Sequence, residues 1–259
     1  MAYYYQARYD DALEQLEKAL KIDKQVLGER HPNTAFILKN IADVYSELED
    51  MQDEALKLYH EVLDIQIEAF SENHPYVAIS YCNIGEQYAE NGNYTKAMEH
   101  YEKALPIHEN TVGRKHPDTA GTLYNMGRSF EEHGELKKAL DYFFEAYEII
   151  KEAYGEDMPE LATMSDGIAH TFDKLEDYNN SNKWFENAIR LYEKFFGGEN
   201  LQAAVTHYLY AESLERQGKN QEALDAFVKS IEIQKICYDH DHELVLKTAN
   251  RITELKERI

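Results

Sequence analysis

Histidine recurs before proline at even intervals in this 259-residue chain, as His31-Pro32, His74-Pro75 and His116-Pro117. Imidazole is a common metal ligand, but the ligands of one ion must all lie ~2 Å from it. Histidines that return once every 42 or 43 residues hold the same place in successive structural units, a whole unit apart, so they read as structural. The run Asp239-His240-Asp241-His242-Glu243 is metal-capable, but it falls in a loop and lacks the helical frame of a two-histidine metal motif. No histidine flanks Cys82 to activate its thiol, and no glycine-rich phosphate loop is present. The pattern that does point to chemistry is one of amides: Asn40, Asn83 and Asn125, spaced by 43 and 42 residues. A side-chain amide both donates and accepts. A ladder of them can therefore pair with the backbone of an extended peptide whatever its sequence.

Evenly spaced amides on one face need a scaffold that itself repeats. Pro32, Pro75, Pro117 and Pro159 follow one another by 43, 42 and 42 residues; two further steps reach Leu201 and Glu243, where the proline is lost and the surrounding pattern persists. A small residue recurs at Ala42, Gly85, Gly127, Ala169 and Ala211, followed three residues later by Tyr45, Tyr88, Phe130, Phe172 and Leu214. A second small position at Ala12, Ala55, Ala97, Ala139, Ser181 and Ala223 is followed four residues on by Leu16, Tyr59, Tyr101, Phe143, Phe185 and Phe227. Residues three or four apart share a helix face, so each unit spells two amphipathic helices. Their small residues admit close approach, and the aromatic fills the adjoining gap. Gly92, Gly134 and Gly218 mark the turn within a unit. Gly28, Gly113, Gly155 and Gly197 close second helices with a left-handed cap, and the prolines suit a first helical turn. The extra residue of the 43-residue step falls near Glu49-Asp50-Met51, in a turn where insertion is cheap.

This small–aromatic–small pattern resembles the tetratricopeptide repeat. The 42-residue unit, with a glycine shortly before His-Pro and an alanine three residues after the proline, is similar to the variant of kinesin light chains and nephrocystin-type proteins. The ordinary unit has about 34 residues, so about two additional helical turns are shared between its helices. The resemblance implies an all-α, right-handed superhelical α-solenoid of antiparallel helix pairs over residues 1–259. Its expected divisions are an orphan second helix in 1–30, read from Tyr9 to Leu27, full repeats over 31–73, 74–115, 116–157, 158–199 and 200–241, and a capping helix in 242–259. The start in mid-repeat reads as a piece of a longer protein. Tyr3, Tyr4, Tyr5 and Tyr9 would leave an aromatic patch there for self-association.

In solenoids of this type the first helix of each pair lines the concave face. The residues expected to point inward include Lys39, Asn40 and Asp43; Asn83, Glu86 and Glu90; Tyr124, Asn125 and Arg128; Asp166 and His170; and Tyr208 and Glu212, together with Phe36 and Ile79. Tyr124 and Tyr208 are candidate aromatic anchors. Kinesin light chains carry similar asparagines in their cargo groove, among basic neighbours that favour acidic motifs. Here the lining is acidic, so that cargo class does not carry over, and a partner presenting Lys or Arg is expected instead. The whole chain is acidic too, with 49 acidic against 27 basic side chains and a net charge of −22. Such a charge disfavours nucleic acid and anionic membrane surfaces. No apolar run reaches the ~20 residues of a spanning helix, and no signal-peptide pattern opens the chain. Cys82 and Cys237, far apart and outside any paired motif, fit the reducing cytoplasm. The expected function is a non-enzymatic scaffold, without cofactor or metal, that holds a protein or peptide segment. The alternatives are a regulatory or sensor region of a larger enzyme or signalling protein, and a self-assembly module.

Overall fold

The computed structural model describes residues 2–197 and 200–259, with side chains from residue 9 onward except that of residue 49. Among these residues the chain forms twelve α-helices, one 3-10 turn and no strand. They fall into two compact units, Ala2–His133 and Gly134–Ile259. In the first, α1 (Ala2–Val26), α2 (Pro32–Ser46), α3 (Gln52–Phe70), α4 (Pro75–Glu90), α5 (Tyr94–Thr111) and α6 (Pro117–Glu132) each pack on the next. The second repeats that arrangement with α7 (Leu136–Tyr154), α8 (Glu160–Lys174), α9 (Tyr178–Phe196), α10 (Leu201–Arg216), α11 (Asn220–Cys237) and α12 (Glu243–Lys256).

The His-Pro pairs explain how the first helices start. Pro32, Pro75 and Pro117 occupy the first turn of α2, α4 and α6, where a missing N–H costs nothing. The preceding histidine is the N-cap. Its Nδ1 accepts the amide N–H two residues on, from Asn33 at 3.1 Å, Tyr76 at 3.2 Å and Asp118 at 3.2 Å. His242 does the same for α12, accepting from Leu244 at 3.3 Å. Each imidazole thus satisfies one of the orphan donors of a helix end. Thr34 and Thr119 add a tie to the preceding turn, donating from Oγ1 to the carbonyls of Gly28 and Gly113 at 2.8 Å. At α8 the pattern changes: Pro159 is itself the N-cap and no side chain caps the helix.

The seven glycines read as turns and caps all take the left-handed backbone, whereas α2 ends at Glu47 and α11 at an extended Tyr238, with neither a glycine nor a left-handed residue. Ser71 (φ 82°) and Glu176 (φ 60°) take the left-handed backbone without glycine, at a second-helix end and at a turn within a pair. The 3-10 turn Glu49–Met51 joins α2 to α3, where the extra residue was expected. In the core, Tyr59, Tyr101, Phe143, Phe185 and Phe227 are all buried, and so are the small residues four positions before them. At Gly85 the approach is close, since a Cβ there would lie 2.5 Å from the Tyr101 ring.

Helix α1 begins well before Tyr9. Its Ala12, Leu16 and Ala19 are only half-buried. Ile22 is 59% exposed, whereas its counterparts Ile65 and Leu191 are fully buried. One face of this helix therefore stands open. The side chains of Tyr3, Tyr4 and Tyr5, expected to form an aromatic patch, lie outside the described residues.

Candidate peptide-binding site

In the unit Ala2–His133, α2, α4 and α6 carry nine of the expected site residues. Two cavities flank α4. One, of about 260 Å³, lies among α4, α5 and α6 and gathers Glu86, Glu90, Asn125 and Arg128, together with Tyr94, Tyr101, Ser129 and Glu132. The other, of about 400 Å³, lies among α2, α3 and α4 and gathers Phe36, Lys39, Ile79 and Asn83, together with Gln66, Phe70 and Tyr76. Asn40, Asp43 and Tyr124 line neither cavity. Asn40 and Tyr124 are half-buried on their helices, and Asp43 is pinned by Lys39 Nζ at 2.6 Å and by the Tyr59 hydroxyl, which donates to it at 2.9 Å.

The three asparagines are not equivalent. Asn125 Nδ2 donates to Glu86 Oε1 at 2.5 Å, so its amide is engaged by a neighbouring carboxylate. Asn83 Nδ2 is buried without a partner and borders the larger cavity. Glu86 has exposed surface yet sits in a crowded concavity. That crowding raises its pKa, against the opposing pull of Asn125 and Arg128. Burial raises Glu90 as well, reinforced by Glu86 and Glu47. For both carboxylates burial is the leading cause, with Asp43 adding to it at Glu86 and the nearby glutamates at Glu90.

The fold also brings together residues that sequence spacing kept apart. Thr122 Oγ1 of α6 lies 3.3 Å from Cys82 Sγ of α4 and 3.0 Å from His108 Nδ1 of α5. The threonine stands between thiol and imidazole. Burial pushes the Cys82 thiol up to about 12 and His108 down, so both stay neutral and tie three helices together. Among the described residues, no group of three or more His, Cys, Asp or Glu side chains could hold a metal ion.

In the unit Gly134–Ile259, Asp166 and His170 are half-buried on α8. Tyr208 on α10 meets Phe227 edge-on at 5.3 Å and lies beneath Lys247 Nζ at 4.9 Å. Burial and the neighbouring Glu212 push its hydroxyl up to about 12. Glu212 borders a cavity of about 290 Å³ with Glu215, Arg216 and Arg251. Glu215 there accepts from Arg251 at 2.5 Å and Arg258 at 2.8 Å.

Counting along first helices could not have found Gln66, Phe70 or Tyr94, because they enter from second helices. Tyr76 did leave a signal, a large aromatic where the neighbouring repeats carry Asn33 and Asp118.

Residues 1–53, 51–110, 76–152 and 160–236 match the tetratricopeptide-repeat model. The chain belongs to the tetratricopeptide-repeat family, whose members generally mediate protein–protein interaction on a non-catalytic scaffold. Among solved structures it is similar to BtubC (BKLC) from P. vanneervenii, with a TM-score of 0.71 and 18% identity over 92% of this chain and 94% of that one. It is also similar to a putative kinesin light chain with nearly identical repeats from Podosopora anserina, with a TM-score of 0.63 and 19% identity over 81% and 99% of the two chains. The apo form of RapI is a further likeness, with a TM-score of 0.68 and 21% identity over 91% and 80%. At these identities the likeness is one of fold: a TPR-like α-solenoid. No curated protein matches the sequence. No described helix is long and apolar enough to cross a membrane.

Proposed function

We propose that the chain is a binding scaffold that holds an extended protein or peptide segment along α2, α4 and α6, in the reducing cytoplasm. The observation that carries this reading is Asn83. Its amide N–H is buried, unpartnered and set at the rim of a cavity. An unmet buried donor costs about 1–3 kcal/mol, which a peptide carbonyl would recover. Asn40 and Asn125 occupy the same repeat position on either side, and the acidic surroundings favour a segment bearing Lys or Arg.

The test is capture of partners by the intact chain, followed by peptide mapping. Asn83→Ala combined with Asn125→Ala is expected to abolish capture without lowering the melting temperature. Capture that survives in this variant would remove the groove reading.

Self-association through α1 is a second reading, favoured by its open face, where Ile22 is 59% and Val26 73% exposed. Light scattering at high protein concentration decides it: a mass of one chain throughout would eliminate it.

A further inference from the structure

We infer that the two cavities beside α4 act together to select a peptide segment with one bulky apolar side chain and, some three to five residues away, one arginine or lysine. This rests on the groove reading above and names the chemistry of its partner.

The larger cavity is the apolar half. Phe36 is 66% exposed, Tyr76 52% and Ile79 37%, and all three border it together with Phe70. Single exposed apolar residues are ordinary, but a cluster around one concavity marks a contact surface. The cluster is local, since the next repeat carries Gly121 and Asp118 where this one has Ile79 and Tyr76. Covering such surface yields about 25 cal/mol per Å². Asn83 Nδ2 at the rim supplies a donor for the bound backbone.

The smaller cavity is the charged half. Glu86, Glu90 and Glu132 line it against the single cation Arg128. A second observation points to a ligand. Ser129 is 1% exposed, its Oγ has no partner, and it lines the same cavity. Carboxylates and a hydroxyl converging on one space form an acceptor set, to which a guanidinium's forked N–H donors are matched. An incoming cation would also offset the burial that raises Glu86 and Glu90, by favouring their charged forms. The spacing follows from α4. Ile79 and Glu86 are separated by about 10 Å at ~1.5 Å per residue, and an extended chain at ~3.3 Å per residue covers that and the sideways step between cavities in roughly three to five residues.

The test uses the full chain and fluorescein-labelled twelve-residue peptides of Gly, Ser and Ala carrying Trp and, four residues on, Arg, read by fluorescence anisotropy. Peptides with Arg→Glu, Trp→Ser or both serve as controls. Each single change is expected to weaken binding tenfold or more, with the Arg contribution fading as salt rises. Phe36→Ser with Ile79→Ser should make the protein indifferent to Trp→Ser. Glu86→Gln with Glu90→Gln should make it indifferent to Arg→Glu. Equal binding of the Arg and Glu peptides, unchanged preferences in these variants, or no binding by any peptide would overturn the inference. Peptides bound without such selectivity, but lost in Asn83→Ala with Asn125→Ala, would overturn it while leaving the groove reading standing. Binding untouched by the asparagine changes would sink both.

Discussion

Burial holds His207 neutral on α10. The ring is 7% exposed, and its Nε2 has no hydrogen-bond partner. Glu193 Oε1 comes no nearer than 4.0 Å, beyond hydrogen-bond reach. Burial and the positive charge of Lys229 push the imidazole down to about 4. The unfolded chain takes up its proton near the ordinary value of ~6.5. Above that value the contribution of His207 to stability is whole; as pH falls from there toward 4 the unfolded state binds the proton first and stability drains away. His207→Leu is therefore expected to flatten the fall in melting temperature between pH 6.5 and 4, an effect on the order of 2–3 kcal/mol at most. A scan of melting temperature against pH for both proteins checks it, and parallel curves would count against it.

Among the elements, one close contact in the α4–α5 pair shows why a small residue stands at this position. Gly85 faces the ring of Tyr101, and an added Cβ would stand 2.5–2.9 Å from three of its atoms. Tyr101 is 1% exposed, so the ring could yield only by moving into the cavity it borders with Glu86 and Asn125, at the cost of its packing. Alanine would gain about 1 kcal/mol in helix propensity, but overpacking in such a core typically costs ~1–3 kcal/mol. Gly85→Ala is expected to destabilise, read as a lower denaturation midpoint and faster hydrogen exchange in α4 and α5. Where the small position is alanine, as at Ala42 and Ala211, the core clusters with Tyr59 and Phe227 already accommodate that methyl group, and the glycine requirement does not extend to them.

For the whole molecule, stacked repeats make stability a sum of local pairs and neighbour contacts. Cooperative all-or-none unfolding is then not guaranteed. Trp184, the only tryptophan in the sequence, meets Tyr147 and Phe144 edge-on at 5.0 Å and 5.6 Å. Its emission reports the unit Gly134–Ile259, while far-ultraviolet circular dichroism reports every helix. The midpoints from the two signals in urea are expected to differ, and coincident transitions would show a single cooperative unit. The net charge of −22 adds a self-repulsion that salt screens.

The histidine caps came from the structure, but the sequence by itself determined the helix pairs, the proline starts, the glycine turns and ends, the insertion after α2 and the buried aromatic of each pair. These depend on neighbours three or four residues apart, on glycine's backbone freedom and on proline's missing donor, all of which are local. It also placed Asn40, Asn83 and Asn125 at one repeat position. What touches what across repeats was decided only by the tertiary structure. Asn125 meets Glu86, 39 residues away, and Thr122 meets Cys82, 40 residues away; neither contact follows the 42-residue period. Helices that pack side by side meet with an offset set by side-chain volume and tilt. Residues at the same repeat position therefore need not touch, and a contact shifts by up to about one turn. The same packing brought second-helix residues such as Phe70 and Tyr94 into the cavity walls, left Ser129 and Asn83 with unmet polar atoms, and made three evenly spaced amides unlike: Asn125 engaged by a carboxylate, Asn83 with an unmet Nδ2, and Asn40 away from both cavities.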